Sequence, residues 1–151
     1  MTPSTTKSVL VSACLVGRAC RFDGGDCLRG TLVEQLAADG LQLVPFCPEE
    51  SGGLGTPRPA ASIQAGGAEG VLDGEAEVRT LDGDDVTAAF RSGANQALQT
   101  CGEESIHQAY LKEGSPSCGV RRTHVDGEKA AGPGVTSALL ARNGIEVIGV
   151  E

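Results

Sequence analysis

The chain has 151 residues, of which 40% are hydrophobic and 3% aromatic, with no tryptophan, and a net charge of −8. That length buries a core without disulfides or a structural metal, and the composition requires the core to be built from Ala, Val, Leu and Ile. The acidic balance excludes a general binder of nucleic acid or anionic membrane, since both polyanions are repelled, but leaves room for a small neutral ligand.

No run of about 18 apolar residues exists, so no membrane span is expected. The opening stretch MTPSTTKSVLVSACLVG has one lysine and passes directly into an apolar run, which does not suit a signal peptide. The expected compartment is the cytoplasm. Thiols stay reduced there, so the six cysteines read as ligands, nucleophiles or packing rather than disulfides.

In chain order, SVLVSA (8–13) is a short β-branched run and the first predicted strand. A glycine-rich loop follows, and TLVEQLAADG (31–40) places Leu32, Val33, Leu36 and Ala37 on one helical face before Gly40. LQLVPF (41–46) is the second strand. A proline-containing loop leads to a glycine-rich stretch, 65–80, read as a short hairpin or an irregular excursion. From Asp84 or Asp85 as cap, a helix runs with Val86, Ala89, Phe90, Gly93, Ala94 and Ala97 as its apolar seam. IHQAYL (106–111) is the third strand. GPGVTSALLARNG is a helix opened by Pro133 and closed by Gly144, and IEVIGV (145–150) is the last strand.

This alternation predicts one α/β domain over residues 1–151, a small Rossmann-like three-layer unit with a mainly parallel sheet and helices on both faces. In such sheets ligands bind beyond the carboxyl ends of the strands. Cys14, Cys47 and Cys118 each follow a predicted strand, so a parallel sheet delivers all three to one edge. Three convergent thiols in a reducing cell point to a soft metal, either zinc or an iron–sulfur cluster. The alternative is that they are small buried hydrophobes. Cys20 and Cys27 share the loop of Cys14 without any standard ligand spacing, and Cys101 ends a helix as packing.

The segments SACLVG, CRFDGG, CPEESGGLGTPRPAASI, DGDDVT, LKEGSPSCG and GPGVTSALL together resemble, in order over residues 9–150, the thiouracil desulfidase family, formerly domain of unknown function 523. The resemblance implies a [4Fe–4S] cluster on Cys14, Cys47 and Cys118 with one iron free of protein ligand. It also implies a non-redox desulfuration in which a thiolated pyrimidine becomes uracil and sulfide. The family's glutamate falls on Glu49 and its serine on Ser115, the expected catalytic pair. Glu49 stands two residues from Cys47, where a general acid or base is needed.

Ser117, Lys112 and Asp23 are further substrate-binding candidates, with Asp23 and Arg58 also readable as loop staples. His107 reads as a core or sheet-face residue and His124 as exposed, neither a ligand. GPGVTS offers a helix N-terminus to an anion. In one departure, the family pattern has glutamate where this chain has Ser62. The expected partner is a small thiolated nucleobase. The alternatives are a cluster- or sulfide-carrying module without catalysis, and desulfuration of a thiolated tRNA base. The latter needs a basic patch such as Arg121 and Arg122 against the overall charge.

Overall fold

The computed structural model describes residues 7–151; the start of the N-terminal segment read above lies outside the described residues. Four strands form a parallel sheet: β1 (Ser8–Ser12), β2 (Gln42–Phe46), β5 (Gln108–Lys112) and β8 (Glu146–Val150), in the order β2-β1-β5-β8. Strand β1 is central and apolar on both faces; Val9, Leu10 and Val11 are all buried, as a doubly covered parallel strand requires. Pro45 cannot donate to a ladder, and it lies in β2 at the edge of the sheet.

Helix α1 (Gly30–Ala38) covers one face, where Leu32 and Leu36 meet Val9, Val11 and Leu43. Helices α4 (Thr87–Glu103) and α5 (Val135–Arg142) cover the other, where Ala97, Cys101 and Leu140 meet Leu10, Ala109 and Leu111. The expected parallel sheet with helices on both faces is therefore what the chain forms. The chain leaves β1 toward β2 on one side and later leaves β5 toward β8 on the other. The switch between these directions lies between β1 and β5.

A second sheet, absent from the reading of the sequence, lies beyond α4 and α5. It has the order β4-β3-β6-β7, from β3 (Ala61–Ile63), β4 (Val78–Thr80), β6 (Arg122–Val125) and β7 (Glu128–Ala131). The 65–80 stretch supplies β4 and a short helix, α3 (Gly67–Leu72), rather than a free-standing excursion. Phe90, Ala94, Val135 and Ala138 pack from α4 and α5 against Ile63, Val71 and Val78. Phe90 is the largest fully buried side chain, and its burial contributes about 2–3 kcal/mol.

One close contact sets the site. The short helix α2 (Pro48–Ser51) follows β2 directly and lies against α4. A Cβ at Gly93 would stand 2.0 Å from the Pro48 carbonyl oxygen, and one at Gly52 would stand 2.0 Å from that of Ala89. Only glycine lets α2 approach this closely, and α2 is the segment that carries Glu49 out of Cys47.

Candidate functional site

A cavity of about 540 Å³ opens beyond the carboxyl ends of β1, β2 and β5. Its wall includes Cys14, Cys47, Cys118, Glu49, Ser115, Ser117 and Lys112, so all but one of the expected cluster ligands, catalytic residues and substrate-binding candidates come together. Cys14 sits in a 3₁₀ turn, Ala13–Val16, that leaves β1. Cys47 opens α2. Cys118 lies in the corner between β5 and β6. The exception is Asp23, exposed outside this wall, whose Oδ1 accepts the Gly25 N–H at 2.9 Å and faces Arg21 at 3.8 Å. Asp23 is a turn acid.

Glu49 is held from both sides. Arg58 Nε donates to its Oε1 at 3.1 Å, and the Ser117 hydroxyl donates to its Oε2 at 3.0 Å. Both members of the ion pair are almost buried, with side chains 8% and 13% exposed. Arg58 also donates to the carbonyls of Gly55 and Cys20 and to Thr56 Oγ1. It is therefore both the carboxylate clamp and the loop staple.

Ser117 Oγ lies 3.7 Å from Cys118 Sγ, which places it between the acid and a thiol. Ser115 Oγ accepts the N–H groups of Ser117 and Cys118, each at 3.1 Å, and pairs with Ser117 Oγ at 2.9 Å. The serine in contact with Glu49 is thus Ser117, and Ser115 orients it. Lys112 Nζ donates to the Glu113 carbonyl at 3.1 Å on the cavity wall.

Two groups that no spacing announced complete the frame. Glu113, fully buried, accepts the N–H groups of Val120, Arg121 and Arg122 and the Arg121 guanidinium at 2.8 Å. Desolvation alone would raise its pKa, but the guanidinium and these amides hold it at about 2. Cys20 lies beside Cys47, with the two Sγ atoms within 4.8 Å, and Cys14 packs in the same buried cluster. The neighbouring Cys14 and burial push the Cys20 thiol up to about 11 against a lowering by Cys47; Cys20 and burial raise Cys47 in turn, and burial pushes Cys118 up to about 12. Neighbouring thiols in a dry pocket oppose one another's ionisation, and a bound cation reverses that balance.

Other readings are corrected. His124 is not exposed but half-buried on the cavity wall, with Nδ1 2.7 Å from the Gly114 oxygen; His107, by contrast, is exposed. The start of α5 has no spare donors for an anion, because Val135, Thr136 and Ser137 give their N–H groups to the carbonyls of Pro116 and Ser117. Ser62 faces away from the cavity and accepts the Gly127 N–H at 2.8 Å, tying β3 to the β6–β7 turn. Arg121 and Arg122 make no free basic patch, as they pair with Glu113 and Glu151. All six cysteines are free and buried, and Cys101 packs in the core beside Leu10 and Ile106. Among the described residues no helix is long and apolar enough to cross a membrane.

The family model of 2-thiouracil desulfurase matches residues 9–151. The uncharacterized protein YbbK of Bacillus subtilis (strain 168) is 39% identical over 143 residues, which cover 93% of each chain. A solved structure, that of the [4Fe-4S]-dependent thiouracil desulfidase TudS, superposes with a TM-score of 0.81 at 42% identity, over 95% of this chain and 91% of its own. With a family match that spans both layers and every wall of the cavity, the chain belongs to the 2-thiouracil desulfurase family and is an enzyme, a desulfidase.

Proposed function

We propose that the whole chain acts as one domain that hydrolyses the thiocarbonyl of a free thiolated pyrimidine. Thiouracil and water become uracil and hydrogen sulfide, with no net oxidation. The observation that carries this reading is the meeting of Cys14, Cys47 and Cys118 with the Ser117–Glu49–Arg58 chain on one cavity wall.

The donor set fits an iron–sulfur cluster: three soft thiols leave two adjacent strands and one corner of the same sheet edge, in a cavity with room for more than a single ion. Cys14, Cys47 and Cys118 would hold it. When bound, such a cluster supplies one iron without a protein ligand, a soft Lewis acid for the thiocarbonyl sulfur.

The chain's own groups supply the rest. Glu49 takes a proton from the attacking water at its Oε2 side and returns one to the leaving sulfur or the ring nitrogen. Arg58 fixes the other oxygen, so the carboxylate presents one orientation. Ser117 passes a hydrogen bond between Glu49 and the cavity, and Ser115 keeps it in register. Lys112 offers a cation to a pyrimidine oxygen. Six free thiols suit a reducing cytoplasm. The paired state of Arg121 and Arg122 supports a free base over a tRNA.

Anaerobic turnover of 2-thiouracil by the cluster-loaded chain, followed as uracil and sulfide formed together, tests this reading. Glu49→Gln is expected to lower kcat by about a hundredfold or more while leaving iron content intact. A variant that loads iron and turns over at the wild-type rate would remove Glu49 from the chemistry. A loaded wild type that binds thiouracil and leaves it unchanged would make the chain a carrier.

A further inference from the structure

Cys20 has no part in the reaction outlined above, yet its thiol lies within 4.8 Å of that of Cys47. The ligand atoms of Cys20, Cys47 and Glu50 all lie within 4.8 Å of one another, and the two cysteines are buried. Cys14 packs in the same buried cluster and lines the same cavity. No other three His, Cys, Asp or Glu side chains among the described residues are gathered this tightly.

A separation of no more than 4.8 Å suits ligands of a single ion. A tetrahedral zinc ion with Zn–S bonds of about 2.3 Å holds its sulfurs roughly 3.8 Å apart. A cluster, with several irons and inorganic sulfides between its cysteines, holds its thiolates further apart. Cys118, which a cluster needs, falls outside the tight group and is held by its own corner.

Glu50 is prepared for such a role. Its Oε2 accepts the Thr56 hydroxyl at 2.5 Å, the kind of support that fixes a ligating carboxylate. Its Oε1 faces Arg18 at 3.1 Å, and Arg18 is largely exposed, with a side chain 59% accessible. An exposed ion pair of this kind is weak and yields readily to a divalent ion.

We infer that Cys20, Cys47 and Glu50, with Cys14 alongside, form a second metal site for a single thiophilic divalent cation such as zinc. Because Cys47 belongs to both sets, zinc and a cluster exclude one another on the same chain. That exclusion rests on the cluster reading above; the zinc site itself does not.

The test uses the full chain, reduced and anaerobic, without a cluster. Zn²⁺ is titrated against a chromophoric chelator, and Co²⁺ serves as a spectroscopic substitute whose thiolate charge-transfer bands report sulfur ligation. One ion per chain with thiolate bands is expected in wild type, a result that needs no variant to fold. Affinity is expected to fall by more than about a hundredfold in Cys20→Ser and about tenfold in Glu50→Gln, and to be unchanged in Cys118→Ala. No stoichiometric binding, an unchanged affinity in Cys20→Ser or Glu50→Gln, or an equal loss in Cys118→Ala overturns the assignment.

A second arm separates the two readings. Zinc-loaded wild type is expected to take up iron and sulfide only as zinc is released. Chains holding zinc and a full cluster together would overturn the exclusion. Iron uptake without any zinc binding would sink this inference and leave the proposed function standing. Zinc binding in a chain that never loads iron would do the reverse.

Discussion

The corner 113–122, which brings Cys118, gathers its amides onto two acceptors of its own, Glu113 and Ser115, and offers its carbonyls to α5, whereas the loop 13–29, which brings Cys14, Cys20 and Cys27, is held by short backbone turns and by arginines that reach across it. In the corner, Glu113 collects three amide N–H groups, Ser115 collects two more, and the first turn of α5 donates to the carbonyls of Pro116 and Ser117. In the loop, the amides of Cys27 and Arg29 bond the carbonyls of Cys14 and Leu15 and close the base, and the Arg58 amide bonds the Phe22 carbonyl. Local backbone turns such as Arg21 to Gly25 are joined by side chains: Arg58 reaches the Cys20 carbonyl, Arg21 reaches Cys27 Sγ at 3.3 Å, and Asp23 and Asp26 close turns. Phe22 and Leu28 stand exposed along it. A site with one preset leg and one adjustable leg can accept ligands of different size, which is what a shared Cys47 requires.

The sharpest break of this contrast is Gly119→Ala. A Cβ there would stand 1.9 Å from the Arg122 carbonyl oxygen and 2.9 Å from that of Ser115, both backbone atoms. The corner must open, and urea denaturation is expected to show a loss of about 3 kcal/mol.

Next comes Glu113→Gln, which removes the charge that gathers the corner and leaves an amide with one acceptor. The expected loss is about 2 kcal/mol at neutral pH, and it is pH-dependent. The Glu113 pKa is depressed from 4.5 to about 2, so its contribution is complete above the ordinary value and is lost as pH falls from 4.5 toward 2. Stability curves of wild type and variant should therefore converge across that window. Parallel curves would show that Glu113 does not act through its charge.

Arg58→Ala attacks the loop instead. It frees Glu49 and the Cys20 carbonyl together, for about 1–2 kcal/mol of stability and about a tenfold loss in kcat/KM through a misplaced carboxylate. Arg58→Lys restores charge without the fork and should recover stability better than rate. Smallest is Asp23→Ala, within about 0.5 kcal/mol and with KM for thiouracil unchanged. A raised KM would return Asp23 to the substrate site.

The parallel sheet was legible because its strands are long enough to show period and β-branching, and because Cys14, Cys47 and Cys118 follow strand ends. The second sheet was not. Strand β3 has three residues and meets β6 at one pair, Ile63 with Val125, which is too short for any pattern. One signal was present in Asp126–Gly127, where both φ values are positive, 52° and 82°, as a tight hairpin turn demands. Residue pairing across long separations was also hidden. Ser117 meets Glu49 from 68 positions away, and nothing local distinguishes it from Ser115, which has the same neighbour, Pro116. Cys20 and Cys47 meet across 27 positions, and the Cys20 carbonyl is held by Arg58 from 38 positions away.

The most direct test of the central claim is the iron count after anaerobic reconstitution with iron and sulfide, on wild type and on Cys14→Ala, Cys47→Ala, Cys118→Ala and Cys101→Ala. About four irons per chain are expected in wild type and Cys101→Ala, with loss of iron in each of the other three. A well-folded wild type that takes up no iron, or a Cys118→Ala variant that retains its full complement, would contradict it.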